Sequence, residues 1–223
     1  MWHFFKVSDI IETSTIEKRK EKVNKKLILA SGSPRRIAIL RKFGYEFDVV
    51  KPEIDEKIEK IDDCLKAAEE KAKSINVNGI ILACDTIVVL EGKILGKPKN
   101  IDEAREFLQK LSGKWHEVYT GYYIKGETET RKNIIKTEVK FAQLGGFEIE
   151  LLLKYGNPLD KAGAYGIQDI AGLYILEIRG SYYNVVGIPI EYIYWDLKEL
   201  GILPEKQFLA AMLAFYKNEP FKV

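Results

Sequence analysis

A mixed sheet flanked by helices, an α/β architecture, is the fold this sequence predicts. Three observations point to it. Short apolar runs of strand length, residues 27–30 and 79–90, alternate with segments whose apolar residues recur at helical spacing. Residues 116–125 and 134–142 alternate apolar and polar about a turn at Gly126, the pattern of a long antiparallel ribbon. Strands and helices interleave along the whole chain, which disfavours an all-helical bundle.

Taken in order, residues 1–24 read as an extension. Positions 17–26 carry six basic and two acidic side chains and almost nothing apolar, so a solvated helix or tail is expected. A docking segment anchored by Trp2, Phe4, Phe5 and Ile10 is the other reading. Leu27 to Ala30 forms a buried strand that stops at Ser31-Gly32-Ser33-Pro34. Ser33 suits an N-cap and Pro34 the first helical position. Ile37, Leu40 and Phe43 then mark a helix that Gly44 closes. Residues 62–76 form a second helix with Leu65, Ala68 and Ala72 on one face, and 79–90 is the most strand-like stretch. Asn100 and Glu103 offer a capping box for a helix ending at Gly113. After the ribbon come a helix over about 147–155, a glycine-rich loop over 161–169 and a strand over 173–178. Amphipathic helices over 189–200 and 204–216 complete the chain. The expected organisation is an N-terminal extension (1–24), one domain over 25–201 and a C-terminal helical extension over 202–223.

With 46% apolar and 30% charged residues the chain is not disordered. Lys plus Arg is 35 against 33 for Asp plus Glu, too even for a nucleic-acid coat. A small anion needs only a local cluster of positive charge. Cys64 and Cys84 form no C-x-x-C pair and are expected as buried thiols in a reducing compartment. No apolar run reaches the roughly 18 residues of a membrane span, and the first twenty residues lack the pattern of a secretory signal, so no membrane association and a cytoplasmic location are expected. His3 and His116 are too few for a zinc site or a serine-protease-like triad.

Five constellations carry chemistry. Ser31-Gly32-Ser33-Pro34-Arg35-Arg36 lies between a buried strand and a helix N-terminus, where unpaired N–H groups favour anions. Two arginines oppose the helix dipole there, so something anionic should offset them: a ligand, or surface carboxylates. Asp85 is an ionisable group inside an apolar strand, costly unless paired, bound to metal or satisfied by neighbouring N–H groups. Its expected place is a strand end facing a cleft. The acidic loop Glu53-Ile54-Asp55-Glu56 offers oxygens to a hard cation, or is simply solvated. Lys97 is fixed in the turn Gly96-Lys97-Pro98, while Lys71 lies among glutamates that compete for it. Gly163-Ala164-Tyr165-Gly166-Ile167-Gln168 reads as a tight loop whose Gln168 offers one donor and one acceptor to a base edge, or as a structural turn. There is no Walker lysine motif and no G-x-G-x-x-G.

The set as a whole resembles the Maf family of nucleotide pyrophosphatases. The matching stretches are LILASGSPRR (27–36), IDE (54–56), EKA (70–72), ACDTIV (83–88), LGKP (95–98), SGKWHEVYTG (112–121), KAGAYGIQ (161–168) and NVVGIP (184–189). The resemblance implies a fold like that of inosine-triphosphate pyrophosphatases, a long mixed sheet in two lobes about a central cleft. It implies cleavage of nucleoside triphosphates to monophosphate and pyrophosphate with a divalent metal, Mg²⁺ first and Mn²⁺ or Co²⁺ as substitutes, and a homodimer. By position, Asp85 resembles the catalytic carboxylate and Glu56 a second metal-side acid. Ser31, Ser33, Arg35, Arg36, Lys71 and Lys97 resemble the substrate-binding set. Arg35, Thr86 and Gln168 match positions that mark the branch acting on dTTP and UTP, a house-cleaning role. The alternatives are a 7-methyl-GTP pyrophosphatase, a non-catalytic nucleotide-binding regulator of septum formation, and an enzyme acting on other phosphate esters. Two departures stand out: Asp169 follows the Gly-Ile-Gln where glycine is usual, and Ser181-Tyr182-Tyr183 replaces an Asp-Tyr pair.

Overall fold

The computed structural model describes residues 26–54, 58–206 and 208 of the chain. The extension read over 1–24, the helix read over 204–216 apart from its first few residues, and Glu56 lie outside the described residues. Seven strands form one mixed sheet: β1 (Leu27–Ala30), β2 (Asp48–Val50), β3 (Ile80–Leu90), β4 (Lys93–Leu95), β5 (Trp115–Lys125), β6 (Thr130–Phe141) and β7 (Ile175–Arg179). The order is β2-β1-β3-β5-β6-β7, with β4 also paired to β3. β2, β1 and β3 are parallel and the rest antiparallel. The ribbon read from alternation is β5 and β6, registered from Lys125↔Thr130 to Trp115↔Lys140.

Helices α1 (Pro34–Lys42), α2 (Asp63–Ser74), α3 (Ile101–Leu111), α4 (Gly146–Tyr155), α5 (Tyr182–Val186) and α6 (Ile190–Glu199) cover the sheet. Both faces of β1 are buried, which is why it is a continuous apolar run. Leu27 and Leu29 pack with Leu40, Ile193 and Leu197, from α1 and α6. Ile28 and Ala30 pack with Ala68 and Ala72 of α2. The buried face of α2 also holds Cys64, Ala67 and Lys71, whereas Leu65 is only half-buried, so the face is turned from the one read in the sequence.

β3 runs through two cores. Its first half joins the clusters just described through Ile80, Leu82 and Cys84 on one face and Ile81 and Ala83 on the other. Farther along, Val88 and Leu90 enter a second core with Phe107, Leu108 and Leu111 of α3 and Ile149 and Leu152 of α4. Asp85 and Thr86 lie between the two halves, one on each face. The sheet thus carries two lobes that meet at this polar interruption.

Capping differs in detail from expectation. Ser33 is the N-cap of α1 but its side chain makes no cap bond; instead its N–H donates to Ser31 Oγ at 3.1 Å. Asn100 caps α3 by accepting from Glu103 N–H at 2.9 Å, while Glu103 reaches one residue further back, to Lys99 N–H. The chain packs on past residue 201: Ile202 is buried in the α1–α6 core and Glu205 N–H donates to Gly44 O at 2.7 Å. Both cysteines are buried free thiols whose pKa values burial raises, to about 12 for Cys64 and about 11 for Cys84. No helix among the described residues is long and apolar enough to cross a membrane.

Candidate active site

The site begins as a break in strand pairing. One edge of β3 is paired along its length with β5. Its other edge pairs with β1 only over Ile80–Leu82 and with β4 only over Val88–Leu90. Residues 83–87 face an opening between those partners. The opening lies just beyond the carboxyl ends of parallel strands, where α/β sheets place their ligands. β1 ends there at Ala30, Ser31 follows it, and α1 begins at Pro34.

A cleft of about 820 Å³ fills this opening. It is lined by Ser31, Ser33, Arg35, Arg36, Lys71, Asp85, Thr86, Lys97 and Gln168, while Glu53 of the acidic loop does not line it. Asp85 is mid-strand, not at a strand end as expected, because the break in pairing gives the middle of β3 access to the cleft. Asp85 is buried, and its Oδ1 accepts from Lys71 Nζ at 2.6 Å. Lys71 is equally buried, so the competition with glutamates expected on its own helix is settled: Glu69 pairs with Lys73 instead. The pair forms because α2 lies directly on β5. Gly121, the partner of Asp85 across the sheet, has no side chain, and a Cβ there would lie 2.6 Å from Leu65 Cα.

The two arginines part company. Arg35 donates to Asp160 Oδ2 at 2.9 Å and to Asp160 O at 3.2 Å, the carboxylate pairing read as one of its options. Arg36 instead donates to three neutral oxygens: Gly187 O at 2.8 Å, Thr86 Oγ1 at 3.1 Å and Ser31 Oγ at 3.3 Å. Its charge is therefore held in place but not neutralised by those bonds. Thr86 Oγ1 is 2.9 Å from Thr120 Oγ1, which donates to Asn184 O at 3.0 Å. One hydroxyl has one proton, so Thr86 donates to Thr120 and accepts from Arg36. A directed chain of hydrogen bonds fixes the guanidinium from below.

Three further cations line the cleft that the sequence did not single out: Lys51, Lys99 and Lys161. Lys51 follows β2, whose register with β1 sets it beside the Ser31 loop, and its stem lies 3.4 Å from where a Cβ on Gly32 would be. The parallel pairing of the two strands is the signal that identifies it. Among the described residues, seven basic side chains and two carboxylates face this space. That arrangement can grip a polyanion by charge-assisted hydrogen bonds, with buried Asp85 beside it. Among the described residues no three His, Cys, Asp or Glu side chains form a metal cluster.

A family model described as Maf-like protein matches residues 26–200. A dTTP/UTP pyrophosphatase of Thermosipho melanesiensis is 45% identical over 174 residues, covering 77% of this chain and 95% of that protein. One from Bacillus cereus is 45% identical over 192 residues, covering 82% and 95%. The solved Staphylococcus aureus Ham1 protein superposes with a TM-score of 0.40 and 17% identity, over 53% of this chain and 72% of that one. With the match running from β1 to the end of α6, the chain belongs to the Maf-like protein family.

Proposed function

We propose that this protein is a nucleoside triphosphate pyrophosphatase that converts dTTP and UTP to the monophosphate and pyrophosphate. The observation that carries the reading is the placing of a buried carboxylate, Asp85, inside a cleft lined, among the described residues, by seven basic side chains. The names of the relatives supply the substrate class.

A triphosphate brings three to four negative charges. In the proposed complex Arg36, Lys97, Lys51 and the Ser31 loop hold the phosphate tail, and Lys71 reaches it from beside Asp85. Water attacks the α-phosphorus, and the bond from that phosphorus to the bridging oxygen breaks. Asp85 orients the water and takes its proton; pyrophosphate carries away the bonding pair. Phosphoryl-type transfer depends mainly on such positioning and on fixed positive charge. Arg35, Thr86 and Gln168 face the base.

The donor set suits Mg²⁺, which takes one or two carboxylates together with phosphate oxygens and keeps several waters. Asp85 would hold it with the triphosphate, and Glu56 is the proposed second carboxylate. When bound, the metal supplies charge neutralisation and acidifies its bound water.

Incubating the protein with dTTP and Mg²⁺ and assaying pyrophosphate tests the reading. Stoichiometric dTMP and pyrophosphate are expected. Orthophosphate as the sole product, or no product from any triphosphate, overturns it.

A further inference from the structure

Gln168 stands exposed at the cleft, and a neighbouring carboxylate orients its amide. Its Nε2 donates to Asp169 Oδ2 at 2.9 Å. The same Asp169 oxygen is 3.3 Å from Lys161 Nζ. Lys161 is buried and itself anchored, donating to Gly156 O at 2.7 Å and Asn157 O at 3.0 Å at the end of α4, where a cation is electrostatically favoured. The three side chains meet over Gly166. A Cβ there would lie 2.5 Å from Gln168 Nε2, 2.6 Å from Asp169 Oδ2 and 2.8 Å from Lys161 Cε. The backbone of Asp169 is tied as well, its N–H donating to Gly166 O at 3.0 Å.

A carboxylate accepts and never donates. It admits the nitrogen of the Gln168 amide and turns the oxygen away. That matters because an amide that flips exchanges its donor for its acceptor. Uracil and thymine present an N3–H donor beside a carbonyl acceptor at C4, whereas cytosine presents an N3 acceptor beside an amino donor. A glutamine free to flip satisfies either edge with two hydrogen bonds. A glutamine held in one orientation satisfies one of them and leaves buried polar groups unpaired against the other.

We infer that Asp169, braced by Lys161, is a specificity-positioning residue that locks the Gln168 amide in the order matching an imide-bearing pyrimidine, so that the cleft takes uracil or thymine in preference to cytosine. The inference rests on the pyrophosphatase reading above.

The test compares kcat/KM for dTTP, UTP, dCTP and CTP, with pyrophosphate detected, in the full chain and in Asp169→Ala and Asp169→Glu, alongside Tm for each. The wild type should prefer UTP to CTP. Asp169→Ala should reduce that ratio by about tenfold or more, through a higher KM for UTP and a lower one for CTP, with little change in Tm. Asp169→Glu, which keeps an accepting carboxylate, should restore most of the ratio. If Asp169→Ala fails to fold, Asp169→Asn replaces it; an asparagine presents either atom to Gln168, so the ratio must fall there too. A wild-type ratio in Asp169→Ala, or a wild type that does not distinguish UTP from CTP, overturns the inference and leaves the hydrolase reading standing. Absence of pyrophosphate from all four substrates overturns both.

Discussion

Asp85 and Lys71 form a buried ion pair whose value depends on both members being present. Removing one charge takes this partner from the other in a low-dielectric site, which costs about 3–5 kcal/mol in comparable buried pairs, whereas removing both is often close to neutral. Lys71→Met should therefore lower unfolding free energy by about 3 kcal/mol, and the double variant Asp85→Asn/Lys71→Met should recover most of that loss. Urea unfolding of the four proteins checks the cycle; simple additivity would show that the two groups do not depend on each other. Asp85→Asn alone keeps an oxygen for Lys71 to donate to, so the fold should survive. If Asp85 is the base proposed above, its loss should cut kcat by about a hundredfold to ten-thousandfold. A purified Asp85→Asn protein with wild-type turnover would remove Asp85 from the chemistry. At this scale the sequence was half informative. A lone carboxylate among Ile80 to Val89 is conspicuous, because nothing apolar accounts for it. Its partner was not, because Lys71 meets Asp85 only through the seating of α2 on the sheet, and no local pattern encodes that seating.

At the scale of elements, the contact between α2 and the sheet depends on a missing side chain. A Cβ at Gly121 would meet Leu65 N and Cα at 2.6 Å, both backbone atoms, so no rotamer change relieves the clash. Gly121→Ala should destabilise the protein by about 1–3 kcal/mol or more, as overpacking does. Because it pushes away the helix that carries Lys71, kcat/KM should fall with it. An unchanged Tm would mean that α2 shifts at little cost. A second element-level contact ties the loop that carries Gln168 to β5. His116 Nε2 lies 2.6 Å from Tyr165 Oη, and Phe141 contacts both rings. Burial lowers the His116 pKa from 6.5 to about 4. Between those values the unfolded chain takes up a proton that the folded one refuses, so stability is complete above pH 6.5 and declines as pH falls towards 4. The decline attributable to this group is about 3 kcal/mol, and His116→Gln should flatten it. Superposable Tm–pH curves for wild type and variant would exclude His116 as its source. The elements themselves were largely legible, because β1, β3, the β5–β6 ribbon and α3 each announce themselves by periodicity. The face of α2 is legible only in part: Ala68 and Ala72 lie on its buried side but Leu65 is half-buried, since an amphipathic stripe that includes a buried lysine does not look apolar.

For the molecule as a whole, function follows from where two lobes join. β3 serves both cores, and the two positions where its apolar pattern breaks, Asp85 and Thr86, are where the cleft opens. Fold and charge then combine. Lys plus Arg exceeds Asp plus Glu by only two in the full chain, yet among the described residues seven basic side chains face the cleft against two acidic ones. Lys51, Lys99 and Lys161 escaped the sequence because 35 basic residues look alike until topology selects the few that converge. Such a cleft concentrates field lines and draws in a polyanion before any contact forms. Lys51, Lys97 and Lys99 are exposed at its mouth, so their attraction for a triphosphate is screened by salt, unlike that of buried Lys71. Raising monovalent salt from about 0.1 M to about 1 M shortens the screening length from about 10 Å to about 3 Å. With Mg²⁺ kept in excess, KM for dTTP should rise at least about fivefold while kcat stays within about twofold, since contacts already made in the complex are shielded from solvent ions. Replacing Lys51 and Lys99 together with glutamine should raise KM at low salt and flatten its salt dependence. A KM that is insensitive to salt in the wild type would mean that the rim cations take no part in capture, and that direct contacts deeper in the cleft account for binding.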